Sequence, residues 1–204
     1  MKVSKYIQDN LKYYNENYKS YENDKHKIIN FEQIYQPFLQ NLKQDSLILD
    51  FGCGTGRDIL YFLNAGYKVE GIDGSKKMCM IAEKNTGLKI KCLNFLDFSE
   101  NNKYDGIWAC ASLVHLNHQD LIKTIRKISQ SLKKGGYFYT TFKYGTFEGI
   151  RNGRYFIDMT EERFKMILKN FTDLTLIYTY YNESYVENQH NKEWINFVLQ
   201  KEWW

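Results

Sequence analysis

Three glycines at alternate positions, Gly52, Gly54 and Gly56, follow a short apolar run, Leu47-Ile48-Leu49-Asp50-Phe51. A segment of helical periodicity comes next. Glycine reaches φ > 0 and lets a ligand approach the backbone with no Cβ in the way. A strand, a glycine loop and a helix gather backbone N–H groups at the helix N-terminus, which is the chemistry of a nucleotide-type site. Asp73 ends the next apolar run and offers a carboxylate that can accept from a ribose diol. The dinucleotide fingerprint GxGxxG is not met, because the spacing here is GxGxG, and the phosphate loop GxxxxGK[ST] is absent. Glycine spacing and Asp73 together favour a nucleoside without phosphates, S-adenosylmethionine (SAM).

Two further places carry chemistry. His115 follows Ser112-Leu113-Val114 after a strand, where a general base would stand beside a reacting methyl. A structural histidine that closes the loop through a backbone hydrogen bond is the alternative. The stretch from Lys143 to Phe156 mixes aromatics, Arg151, Arg154, Glu148 and three glycines. Its aromatics can wall an acceptor, and an arginine can fork onto a carboxylate or phosphate. Phe147, Arg151, Arg154 and Tyr155 are therefore candidate substrate contacts, and Tyr144 joins His115 as a candidate catalytic residue. A solvated loop in which Arg151 or Arg154 pairs with Glu161 or Asp158 is the competing reading. Cys110, His115 and His118 lack a fourth ligand, so no metal is expected.

Strands and helices must hold these residues in place. Residues 1–45 read as a helical lid with two apolar stripes, Tyr6, Ile7, Leu11, Tyr14, Tyr18 and then Ile28, Phe31, Ile34, Phe38, Leu42. Pro37 is expected to kink the second helix or start a turn of it. Residues 46–204 alternate. Strands are predicted at 47–51, 67–72, 88–93, 104–110 and 137–143, and helices at 56–65, 75–86, 118–133 and 160–170. Residues 144–158 read as a loop. Two strands, 173–181 and 193–200, follow each other without a helix and must form a hairpin. The pattern predicts an α/β doubly wound sheet with one strand reversed, and a ligand at the carboxyl ends of the strands.

The motifs Leu-Asp-Phe-Gly-Cys-Gly-Thr-Gly (49–56), Val-Glu-Gly-Ile-Asp-Gly-Ser (69–75), Tyr-Asp-Gly-Ile-Trp-Ala-Cys-Ala-Ser-Leu-Val-His-Leu (104–116) and Leu-Lys-Lys-Gly-Gly-Tyr-Phe (132–138) occur in one order. In these the chain resembles the class I SAM-dependent methyltransferases. The resemblance implies a Rossmann-like, seven-stranded sheet with the last strand antiparallel. It implies that Gly52, Gly54 and Gly56 surround the methionine part of SAM, with Asp50 orienting the loop and Arg57 supporting it. Asp73 resembles the ribose ligand, and Gly74, Ser75 and Met78 would line the adenosine. Asn94, where the commoner residue is Asp, and Phe95 would meet the adenine, Asn94 accepting a bond from its amine. Ala109 and Ala111 would contact SAM through their backbone, and Tyr13-Tyr14 and Tyr21 resemble a tyrosine pattern that caps the cofactor.

A length of 204 residues, 43% hydrophobic content and a net charge of +4 fit a soluble domain without a strongly basic face. Cysteines at 53, 79, 92 and 110 form no CxxC pair, no secretory signal is recognised and no apolar run reaches membrane-spanning length. A cytoplasmic monomer or homodimer is expected. Pro37 is the only proline, which excludes the Asn/Asp-Pro-Pro-Tyr signature of base- and amide-nitrogen methyltransferases. A small-molecule acceptor is favoured, with RNA or protein methylation and a non-catalytic SAM-binding regulator as alternatives.

Overall fold

The computed structural model describes residues 4–21, 32–182 and 194–203. Ile28 and Phe31 of the second predicted stripe lie outside the described residues. Leu47, Ile48, Leu49, Asp50 and Phe51 form β1 (Leu47–Phe51), an interior strand of a seven-stranded sheet. Its other strands are β2 (Lys68–Asp73), β3 (Lys91–Cys92), β4 (Tyr104–Ala109), β5 (Leu132–Lys143), β8 (Leu174–Asn182) and β9 (Trp194–Lys201), in the order β3-β2-β1-β4-β5-β9-β8. The pairs among β1 to β5 are parallel. β9 runs antiparallel to both of its neighbours, β5 and β8, so the expected reversed strand is the last in the chain.

Successive strand residues point to opposite faces, and both faces are covered. Leu49, Phe51, Ile107, Phe138 and Phe197 bury against Leu121, Ile125 and Ile128 of α5 (His118–Ser131) and Phe164 of α6 (Glu161–Leu168). On the other face Ile48, Trp108, Tyr139 and Val198 meet Tyr35 and Phe38 of α2 (Glu32–Leu39), Ile59 and Phe62 of α3 (Arg57–Asn64), and Cys79 and Ala82 of α4 (Lys76–Thr86). Pro37 is accommodated within α2. The first helix, α1 (Lys5–Glu16), does not join either layer. It lies across the carboxyl-end rim, against α4 and the hairpin described next.

The segment 144–158 departs from the expected loop. It contains a two-stranded antiparallel hairpin, β6 (Glu148–Arg151) and β7 (Arg154–Ile157). Asn152 at φ 51° and Gly153 at φ 74° make its turn, the Asn-Gly signature of a two-residue hairpin connection. Other boundaries move modestly. β3 is two residues long where 88–93 is predicted, and β5 begins at Leu132, which pairs with Tyr104 ahead of Gly135.

Candidate active site

At the end of β1 the chain turns through Gly52 (φ 89°), Gly54 (φ 53°) and Gly56 (φ 84°). The N–H groups of Gly52 and Cys53 both donate to the Ile72 carbonyl at 2.9 Å, which ties the loop to β2. The Gly54 N–H donates to Asp73 Oδ2 at 2.9 Å and the Ser75 N–H to Asp73 Oδ1 at 2.8 Å. A Cβ on Gly52 would lie 2.3 Å from Ser112 Cβ, so that glycine is required by close approach of the segment after β4. A Cβ on Gly54 would meet no protein atom within 4 Å, and the loop's open side lies there. Ser112 Oγ donates to the Phe51 carbonyl at 2.6 Å and closes the junction of β1 and β4. Burial pushes the Asp73 carboxyl up to about 6, against the N–H groups of Ser75, Gly54 and Gly74, which hold it down.

Behind the loop lies a charged cluster that the motif reading does not reach. Arg57 Nε and Nη2 fork onto Asp58 at 2.7 and 3.1 Å. Tyr35 Oη donates to Asp58 Oδ1 at 2.7 Å, and Trp108 Nε1 to Oδ2 at 2.8 Å. Burial opposes the charge on Asp58, but Arg57, Tyr35 and Trp108 outweigh it and lower its pKa. Asp50 is buried beside this cluster, and its Oδ2 has no hydrogen-bond partner. Burial, then the nearby Asp58, raises the Asp50 carboxyl despite Arg57. The adjacency of Arg57 and Asp58 is visible in the sequence. Tyr35 and Trp108 arrive only through the sheet and α2.

On the β2 side, Ser75 caps α4 by accepting from the Met78 N–H at 3.3 Å, and Met78 is buried. Gly74 faces Leu11 of α1, whose Cδ2 would be 2.6 Å from an added Cβ. Phe95 packs on Phe51 with ring centroids 4.6 Å apart. Asn94 is held by a local turn. Its Oδ1 already accepts from the Leu96 N–H at 2.9 Å, while its Nδ2 is buried without a partner. Asn94 therefore has an unpartnered donor in Nδ2, and its Oδ1 keeps a second lone pair for the acceptor role expected from the sequence. Ala109 is buried at the end of β4, and Ala111 adopts φ 50° just beyond it.

α1 is fastened over this rim by side chains. Asn10 donates to the carbonyls of His115 (3.3 Å) and Tyr155 (3.4 Å) and accepts from the Tyr155 N–H (2.8 Å). Asn15 Oδ1 accepts from Ser75 Oγ at 2.9 Å and from the Lys77 N–H at 3.1 Å. Tyr6 Oη donates to Asp120 Oδ2 at 2.5 Å. Arg154 Nη1, which can only donate, lies 3.1 Å from Tyr14 Oη, and that hydroxyl is 2.7 Å from His115 Nε2. Tyr14 thus accepts from Arg154 and donates to His115. Nε2 of His115 is then the acceptor, and Nδ1 carries the proton and donates to the Tyr155 carbonyl at 2.9 Å. Burial, opposed by that carbonyl, brings His115 down to about 4, and burial pushes Tyr14 up to about 12. With α1 seated, both ring nitrogens of His115 are engaged within the protein. In this arrangement His115 locks the lid, and a base role would require Tyr14 to swing away.

The hairpin residues divide. Arg154 lies over the rings of Tyr13 (4.5 Å), Phe156 (5.0 Å) and Tyr14 (5.6 Å), facing α1. The Tyr155 ring packs against Tyr6, and its hydroxyl donates to Glu148 at 2.7 Å. Arg151 is engaged by Asp158 at 2.6 Å and stacks on Phe147 at 4.3 Å, as the competing reading allows. Tyr144 is 48% exposed and packs edge-on against Tyr181 of β8. The structure brings Tyr14, His115 and Arg154 together, and leaves Tyr144, Phe147 and Arg151 in contacts of their own. Among the described residues no group of three His, Cys, Asp or Glu side chains is arranged to hold a metal, and no helix is long and apolar enough to cross a membrane.

Residues 48–136 match a family model described as a methyltransferase domain. An uncharacterised methyltransferase of Bacillus cytotoxicus is 35% identical over 106 residues, 50% of this chain and 50% of the relative. A Bacillus cereus relative is 34% identical over 106 residues, with the same shares. The chain thus spans about half the length of the curated relatives it matches. The fold is shared with the 1,6-didemethyltoxoflavin-N1-methyltransferase of Burkholderia thailandensis, solved with 1,6-didemethyltoxoflavin and S-adenosylhomocysteine. The TM-score is 0.78 at 15% identity, over 99% of this chain and 92% of that one. A SAM-dependent methyltransferase structure from Methanosarcina mazei gives 0.71 at 20% identity, over 82% and 98%.

Proposed function

The chain belongs to the class I SAM-dependent methyltransferase superfamily, and on that premise we propose that it methylates a small-molecule acceptor. The observation that carries the cofactor half of this reading is the glycine loop tied to Asp73, with its open side at Gly54. Asp50 in β1 and Asn94 just after β3 each bury a polar atom without a hydrogen-bond partner, Oδ2 and Nδ2, and a ligand at this rim would satisfy them. Gly52, Gly54, Gly56 and Asp50 would hold the amino-acid part, with Arg57 bracing the loop through Asp58. Asp73 would take the ribose diol. Gly74, Ser75 and Met78 would line the adenosine, Asn94 and Phe95 would meet the base, and the backbone at Ala109 and Ala111 would close the remaining side. SAM, when bound, supplies a methyl already activated by its sulfonium.

The protein's contribution is orientation and exclusion of water, and orientation alone can be worth about 7–11 kcal/mol. α1 supports this role as a lid, because Asn10, Tyr14 and Asn15 fasten it to three different elements. The same lid favours a small acceptor over RNA or protein, since it covers the rim where a macromolecule would have to dock. The 1,6-didemethyltoxoflavin bound by the Burkholderia neighbour is consistent with that preference. With His115 engaged, the favoured acceptor is one that presents its own lone pair.

S-adenosylhomocysteine is expected to raise the melting temperature, and Asp73→Ala to abolish the shift. No shift in the unmodified protein would overturn the cofactor reading. Labelled SAM incubated with size-fractionated cell extract tests the acceptor. Label appearing only in tRNA or protein would overturn the small-molecule reading, and label in neither would point to a regulator.

A further inference from the structure

The arginines around the rim differ in one respect. Arg57 forks onto Asp58, Arg151 onto Asp158, and Arg163 reaches Glu148. Arg154 has no carboxylate partner among the described residues. Its Nη1 donates to the hydroxyls of Tyr14 (3.1 Å) and Tyr21 (3.4 Å). Its Nε is buried and has no hydrogen-bond partner, and its Nη2 makes no hydrogen bond to the described residues. Nε–H and Nη2–H lie side by side in the guanidinium plane, and that edge is the one a carboxylate meets with two parallel bonds. Arg57 uses the same edge for Asp58. The aromatic faces of Tyr13, Tyr14 and Phe156 steady the Arg154 cation without neutralising it. A buried donor of a charged group costs free energy unless something accepts from it.

We propose that the Nε/Nη2 edge of Arg154 is a carboxylate receptor, filled by a carboxylate of the ligand enclosed beneath α1. The inference rests on the cofactor reading above for where that ligand lies. Two sources share this chemistry: the α-carboxylate of the methyl donor, and a carboxylate on the acceptor.

Titration calorimetry on the full chain separates them, with Arg154→Gln compared with the unmodified protein. The probes are S-adenosylhomocysteine and 5′-methylthioadenosine, which lacks the amino-acid part. Benzoate and its neutral analogue benzamide are titrated both with and without S-adenosylhomocysteine. If the donor fills the receptor, the variant loses about 10- to 100-fold in affinity for S-adenosylhomocysteine and none for 5′-methylthioadenosine. If the acceptor fills it, S-adenosylhomocysteine binding is unchanged, and the unmodified protein binds benzoate but not benzamide, a preference the variant lacks. Equal weakening towards S-adenosylhomocysteine and 5′-methylthioadenosine would mean that Arg154 only holds α1 down, and would overturn the proposal. Unchanged binding of both S-adenosylhomocysteine and benzoate would also overturn it. Failure of the cofactor reading is distinct: the unmodified protein would then bind neither adenosyl probe, while the benzoate titration without S-adenosylhomocysteine still tests Arg154.

Discussion

The rim of the sheet has two sides built by different means. On the β1–β2 side the shape comes from the backbone: three glycines at positive φ, N–H groups aimed at Ile72 and Asp73, and a serine cap. On the side of α1 and the hairpin it comes from side chains that meet across long sequence separations, such as Asn10 with Tyr155 and Tyr14 with His115. Backbone curvature suits a ligand that does not vary. Side-chain contacts can change from protein to protein over the same sheet, and we propose that acceptor choice belongs to this side.

Removing Asp58 should have the largest effect and would break the first side alone. Asp58→Ala removes the carboxylate onto which Arg57 forks and strips an acceptor from Tyr35 and Trp108. Because Arg57 is one-third exposed, the loss in unfolding free energy should sit near about 3 kcal/mol, the low end for a broken buried pair. Chemical denaturation checks it. Next, Gly52→Ala and Gly54→Ala test whether backbone shape serves the fold or the ligand. Gly52→Ala meets Ser112 Cβ and should cost about 2 kcal/mol of stability. Gly54→Ala meets no protein atom and should cost about 1 kcal/mol, yet weaken S-adenosylhomocysteine binding in calorimetry. Equal stability losses would erase the distinction.

On the other side, Asn10→Ala takes the Asn10 amide from the His115 carbonyl and the Tyr155 N–H, while the Tyr155 carbonyl keeps its bond from His115 Nδ1. A loss of about 1–3 kcal/mol is expected, with faster dissociation of S-adenosylhomocysteine in stopped flow. An unchanged dissociation rate would separate α1 from ligand retention. Titration of Asp73 gives a graded effect. Its carboxyl, raised to about 6 by burial, accepts from both hydroxyls of a diol through its two oxygens only when ionised. Affinity should therefore be level above that pH. It should fall by about 1.4 kcal/mol per pH unit below it, and the fall should be absent in Asp73→Asn.

The same division explains what could be read from the residues alone. Gly52, Gly54, Gly56 and Asp73 are local: each is required by a conformation or a strand end a few residues away, so spacing betrays them. The reversed final strand is equally local, because two adjacent strands without a helix leave one arrangement. The hairpin at 148–157 had a local signal, Asn152-Gly153, which the glycines and arginines around it obscured. The lock of Tyr14, His115 and Arg154 has none. Its members are separated by 101 and 140 positions in the hydrogen bonds they share with Tyr14, and each is ordinary where it stands. The unpartnered Nδ2 of Asn94 is illegible for a related reason, since the orientation of an amide is set only when a neighbour, here the Leu96 N–H, claims its oxygen.

Asn10 joins the hairpin, the segment after β4 and α1 through groups that carry no net charge. The hairpin's outer brace is ionic, Arg163 to Glu148 at 2.8 Å, with both side chains partly exposed. Added salt screens exposed charges and leaves neutral hydrogen bonds almost untouched. The molecule therefore has two seams along one edge. Ionic strength loosens the outer one, and the inner one yields chiefly to heat.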